Sequence, residues 1–292
     1  MSATTSPLIT AAELAAALNG PEEMRPVVLD VRYPGVGSTE DGHAQYLAGH
    51  VPGAAYVSLD DALAAPHVPG VTGRHPLPVP AVLQDAMRAA GVREDRPVVV
   101  YDDWLSIAAA RAWWLLRWAG HDDVRVLDGG WRAWRGSGCT VETGEAAPEP
   151  GDLTVRPGHR RTVDAEGAAA LARDGVLLDA RPVGRFRGEG ETIDPVAGHV
   201  PGARSLPAMG LVDDAGRFLA PEALAARLAA VGVEPGTDGA KVGIYCGSGV
   251  QACHAALAAE AAGVVADPAV YAGSWSEWVT DPSRPVATGA GD

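Results

Sequence analysis

The chain has 292 residues, about twice the commonest domain size, so two domains are the first expectation. Its 47% hydrophobic and 21% charged residues are the composition of a soluble globular protein, with enough apolar material for each half to bury its own core. A formal charge of −14 speaks against nucleic acid or an anionic membrane as the main partner, and an anionic substrate would have to be met by locally placed arginines.

The opening MSATTSPLIT has no basic stretch followed by an apolar run, and no segment is apolar for long enough to span a bilayer. A cytoplasmic protein is expected. TAAELAAALNG (10–20) reads as a helix whose start is a capping box of Thr10 and Glu13. VLDVR (28–32) is a short apolar run ending in Asp, the pattern of a buried parallel strand reaching a loop. GHVPGA (49–54) follows, then Asp60, and then RHPLP with Arg74 and His75. VVVYDD (98–103) is a second strand, and LDGGWRAW (127–134) closes the segment.

The same order then recurs. LLDAR (177–181) repeats VLDVR, and GHVPGA returns at 198–203; Asp30 to Asp179 and His50 to His199 are both 149 residues apart. VGIYCG (242–247) matches VVVYDD and VYAGSWSEW (270–278) matches LDGGWRAW, both at an offset of 144. Consistent offsets over several blocks establish a duplication. The first copy is expected over 1–138, a Gly-, Pro- and Glu-rich linker over 139–160, and the second copy over 161–292. Strands alternating with helices such as ALAARLAAVG (223–232) imply an α/β fold, each domain a mostly parallel sheet flanked by helices, with ligands at the carboxyl ends of strands. His50, His199 and the tryptophans 113, 114, 131, 134, 275 and 278 are expected to be structural.

Three cysteines, Cys139, Cys246 and Cys253, are too few and too uneven for a disulfide framework and fit a reducing compartment. Cys246 stands directly after the strand VGIY and before the helix QACHAALAAEAAG. The loop Cys246-Gly247-Ser248-Gly249-Val250-Gln251 lets the backbone curl with its N–H groups inward, which together with the helix N-terminus favours a thiolate at Cys246. Cys253 falls among helical alanines and is expected in the core, with a resolving thiol as the lesser alternative. Cys139 lies in the linker.

The tandem HVPGA blocks, the reactive-type cysteine present only in the second copy, GSWSEW and the loop CGSGVQA resemble the two-domain rhodanese and mercaptopyruvate sulfurtransferase family over nearly the whole chain. That resemblance implies that the first copy, with Asp102 in the place of Cys246, is catalytically silent. It further implies a ping-pong sulfur transfer in which Cys246 becomes a persulfide and then yields its sulfur to cyanide, a small thiol or a thioredoxin-like acceptor, with no metal and no cofactor. Ser248 and Asp60 resemble the family residues that work with the cysteine, Arg185 in RPVGRFRG the arginine that anchors a donor carboxylate, and His75, with Arg74 beside it, a histidine near the pocket. The loop backbone from Gly247 through Gly249, Val250 and Gln251 would frame the donor.

Thiosulfate enzymes of the family carry cations in the loop, where a dianion leaving as sulfite needs them. Gly247-Ser248 leans instead toward 3-mercaptopyruvate, whose leaving group needs proton handling and a carboxylate anchor. The stretch GEGETIDPVAGH (188–199) contains no second arginine, and Gln251 stands where a threonine is usual; thiosulfate is therefore the alternative donor. A cysteine phosphatase would need an arginine six positions after the cysteine, where Ala252 stands. A non-catalytic binding module would lack the cysteine, and the Cys and His spacing suits no structural metal site.

Overall fold

The computed structural model describes residues 6–35 and 38–291. It divides into two compact units. Among the described residues the first comprises 6–35, 38–64, 78–159 and 214–218; the second comprises 65–77, 160–213 and 219–291. The boundaries differ from a cut at the linker in one respect that matters for the site: residues 65–77, which lie within the first sequence copy, pack with the second unit.

In the first unit the described strands are β1 (Leu8–Ile9), β2 (Val27–Asp30), β3 (Ala55–Tyr56), β4 (Val98–Tyr101) and β5 (Val124–Leu127), arranged β1-β5-β4-β2-β3 with every pair parallel. In the second, β6 (Val176–Asp179), β7 (Arg204–Ser205), β8 (Val242–Tyr245) and β9 (Ala269–Val270) run β7-β6-β8-β9, again all parallel, and a bridge from Thr162 to Val270 stands where β1 stands in the first unit. The two orders coincide, so the duplication in the sequence is a duplication of topology.

The central strands β4 and β8 are buried at every position, as apolar runs in a sheet covered on both faces must be. The helices that follow them, Ile107–Trp118 and Val250–Ala261, are buried nearly all round. A helix apolar on every face stays folded only inside a core, and the alanines of Val250–Ala261 let it lie close to the sheet. The first helix, Ala11–Leu18, begins with the capping box of Thr10 and Glu13.

Each strand ending in Asp is locked by an arginine two residues on. Arg181 donates from Nε and Nη2 to Asp179 at 3.0 and 2.6 Å and from Nη2 to the Gly198 carbonyl at 2.7 Å; Arg32 repeats this with Asp30 and Gly49. Burial alone would lower the Arg181 pKa, but the Asp179 charge and hydrogen bonds outweigh it and hold it above the usual value. The guanidinium lies 4.6 Å over the Trp275 ring, as that of Arg32 lies 4.8 Å over Trp131. These arginines hold the GHVPGA turns against their sheets. His199, stacked on Phe186 with Nδ1 2.7 Å from its carbonyl, and His50, stacked on Tyr46, belong to the same scaffold.

Candidate active site

Cys246 follows β8 at the carboxyl end of the sheet and is 1% exposed. Its loop has one shape available. Gly249 has φ +82°, and a Cβ there would come 2.4 Å from the Ala272 carbonyl oxygen, so only glycine allows the turn. The turn aims the Gly249 N–H at the Cys246 sulfur, 3.1 Å away.

The loop is pinned from behind by 273–276. Trp275 N–H donates to the Cys246 carbonyl at 2.9 Å and Ser276 N–H to that of Gly247 at 3.0 Å. Ser274 is fully buried at φ +56°, a conformation that a residue with a Cβ rarely adopts. Its hydroxyl accepts the Cys246 N–H at 3.0 Å, donates to the Tyr271 carbonyl at 2.9 Å and lies 4.0 Å from the sulfur. Gly130 occupies the matching place in the first copy with the same φ of +56°. GSWSEW therefore supplies more than packing: Ser274 orients the cysteine. The repeat offered one clue to this, a serine aligned with a glycine.

Residues 65–77 bring two further side chains to the loop. A Cβ on Gly73 would meet the Gly273 carbonyl oxygen at 2.4 Å, which requires glycine for so close an approach of two backbones. Next in the chain, Arg74 N–H donates to Ser276 Oγ at 3.0 Å. Nδ1 of buried His75 then lies 2.8 Å from Ser248 Oγ, a hydroxyl–imidazole pair beside the cysteine.

The cations missing from the loop's own sequence reach it from elsewhere. A Cβ on Gly247 would lie 2.9 Å from Nη2 of Arg74 and 3.3 Å from Nη1 of Arg185, so both guanidiniums stand over the residue after Cys246. Arg185 comes from the short helix Val183–Arg187 and donates from Nε to Glu191 at 2.9 Å and from Nη2 to Asp194 at 2.5 Å. Arg74 pairs with the other oxygen of Asp194. Glu191 also accepts the N–H groups of Ile193 and Asp194. Burial would raise the Glu191 carboxyl, but the Arg185 bond and those amides prevail and hold it below the usual carboxylate range. Neither acid is visible as a site residue in the sequence, since each is a lone acid in a loop without periodicity.

Of the residues expected at the site, the second unit brings together Cys246, Gly247, Ser248, Gly249, His75, Arg74 and Arg185. Val250 and Gln251 open the following helix. Asp60 belongs to the first unit, where it is exposed in the helix Leu59–Ala62. Arg187 is exposed, and buried Cys253 donates its thiol to the Gly249 carbonyl at 3.3 Å.

The rhodanese-like domain profile matches twice, at residues 10–137 and 164–281. The chain belongs to the rhodanese-like family. It is 48% identical over 97% of its length to a Mycobacterium tuberculosis protein assigned as a thiosulfate sulfurtransferase, covering 97% of that protein. It is 47% identical, again over 97%, to a Pseudomonas aeruginosa protein assigned as a 3-mercaptopyruvate sulfurtransferase, covering 98% of it. The crystal structure of the 3-mercaptopyruvate enzyme of Escherichia coli superposes with a TM-score of 0.80 at 30% identity, over 94% of this rhodanese-like chain and all of that one. Relatives of near-equal identity carry different donors in their names. No helix among the described residues is long and apolar enough to cross a membrane.

Proposed function

We propose that this sulfurtransferase takes its sulfur from 3-mercaptopyruvate, holds it as a persulfide on Cys246 and passes it to cyanide or a thiol, a small one or that of a thioredoxin-like protein. The Cys246 thiolate attacks the donor's sulfur, the carbon–sulfur bond breaks, and its electron pair leaves as the enolate of pyruvate. The proton on the donor's own thiol is released as the persulfide forms, and Ser248 with His75 relays it to the enolate carbon to give pyruvate. Arg185, with Arg74, receives the donor carboxylate. In the second half-reaction the acceptor attacks the outer sulfur, and the Cys246 thiolate is regenerated.

The observation that carries the donor assignment is the 2.8 Å contact between Ser248 Oγ and His75 Nδ1. A proton relay next to the thiol serves a leaving group that must be protonated on carbon, whereas sulfite leaving thiosulfate needs no such step. Asp60 enters the proposal through its resemblance alone. The reading includes a reducing cytoplasmic setting, which the sparse, odd set of three cysteines suits.

The test is turnover of the two donors by Ser248→Ala and His75→Asn. Loss of a proton relay is worth on the order of 10²–10⁴-fold in kcat. That loss is expected with 3-mercaptopyruvate and not with thiosulfate, and equal losses with both donors would remove the relay and the donor assignment with it.

A further inference from the structure

Asp194 has one oxygen on each of two arginines, Arg74 through Nη1 and Arg185 through Nη2, and its side chain is 2% exposed. Arg74 and Arg185 come from stretches of chain more than a hundred residues apart, and their guanidiniums meet over Gly247 because this carboxylate takes both. Glu191, 3% exposed, holds the remaining edge of Arg185. Nε of Arg74 is buried and makes no hydrogen bond among the described residues. The Arg74 Nη2 and Arg185 Nη1 atoms are the ones turned to Gly247. Two positive and two negative groups thus make a clamp with no net charge, in a protein whose overall field is negative.

We propose that Asp194 is a positioning residue that sets donor specificity: it yokes Arg74 to Arg185 as one carboxylate clamp and cancels enough of their charge that a monoanion is received in preference to a dianion. Arg74 thereby takes the part of the second arginine that the loop 188–199 lacks. This rests on the reading that the donor is anchored at Arg185. The physical basis is that one unit of charge within a few ångströms of the donor changes the binding of a dianion about twice as much as that of a monoanion, an effect of about tenfold or more in a partly buried site.

The test is kcat and KM for 3-mercaptopyruvate and thiosulfate in Asp194→Asn, Arg74→Gln and the double variant, with Asp194→Glu as the conservative rescue. Asp194→Asn is expected to raise KM for 3-mercaptopyruvate with little change in kcat, because the clamp loses its alignment. It should also shift the ratio of kcat/KM values about tenfold toward thiosulfate, because the site gains a positive charge. Arg74→Gln should shift that ratio the other way, and the double variant, neutral again, should return toward the wild-type ratio. A merely structural residue would lower both donors together, so an unchanged ratio, or shifts of the same sign in both single variants, would overturn the proposal. Failure of the underlying reading looks different: Arg185→Ala would then leave KM for both donors untouched.

Discussion

Asp102 holds in the first unit the place that Cys246 holds in the second, directly after the central strand, and in both the chain turns its main-chain N–H groups onto the side chain. The Asp102 carboxylate accepts from Trp104 and Ser106 on one oxygen, at 2.8 and 2.9 Å, and from Ala109 on the other at 2.8 Å. In the second unit the Gly249 N–H points at sulfur. The silent copy thus keeps the anion cradle of the catalytic one and fills it with an anion of its own. Main-chain N–H groups that satisfy a buried carboxylate in one copy correspond to the N–H that faces the sulfur in the other.

That relationship has a pH consequence. Burial pushes the Asp102 carboxyl up to about 6, although the four N–H groups of Ala109, Trp104, Ser106 and Ala108 oppose it. A carboxyl whose pKa is higher folded than unfolded binds its proton more tightly in the native state. Its contribution to stability is therefore complete below its unfolded value of 3.8 and is lost as pH rises through about 6. Denaturant unfolding of the wild type between about pH 4 and 6 should show a falling component, on the order of 3 kcal/mol, that is missing in Asp102→Asn. Parallel curves for the two proteins would show that Asp102 titrates as an ordinary acid.

Ser274 combines left-handed backbone with a hydroxyl that satisfies the Cys246 N–H. Ser274→Ala keeps the strain and leaves a buried N–H unpaired, a loss of about 1–3 kcal/mol. Ser274→Gly loses the same bond but relieves about 1 kcal/mol or more of backbone strain, as Gly130 does in the first copy. Thermal or denaturant unfolding should therefore rank alanine below glycine, and both variants should lose kcat. An alanine variant as stable as the glycine one would refute the claim of stored strain.

The two loop glycines should respond differently. Gly249→Ala forces a Cβ to within 2.4 Å of a backbone oxygen at a φ of +82°, so destabilisation of several kcal/mol and loss of sulfur loading are expected. Gly247→Ala pushes only against the tips of Arg74 and Arg185, which can give way. It should fold with nearly wild-type stability and show its defect in KM for the donor. Circular dichroism melts beside donor kinetics distinguish the two, and a Gly247→Ala protein with unchanged KM would mean the arginines do not receive the donor.

The duplication, the parallel sheets and the strand–cysteine–helix turn were legible because they depend on local patterns: apolar runs ending in Asp, a repeat at fixed offsets, and glycines flanking Ser248. The surroundings of the thiol were less so. Arg74 meets Asp194 and Ser276, and His75 meets Ser248, across sequence separations of 120 to 202 residues, and nothing local in RHPLP says that it packs with the later copy. The loop looked neutral because its cations arrive from two other segments. Asp194 and Glu191 carry no periodicity, and the left-handed backbone of Ser274 is hidden because sequence patterns mark such positions by glycine.

The central claim is that Cys246 carries the transferred sulfur. The protein should be incubated with 3-mercaptopyruvate or thiosulfate without acceptor, digested, and its peptides weighed. One extra sulfur atom is expected on the peptide containing Cys246, none on those containing Cys139 or Cys253 alone, and cyanide should remove it as thiocyanate. No adduct with either donor, or an adduct that persists in Cys246→Ser, would contradict the account.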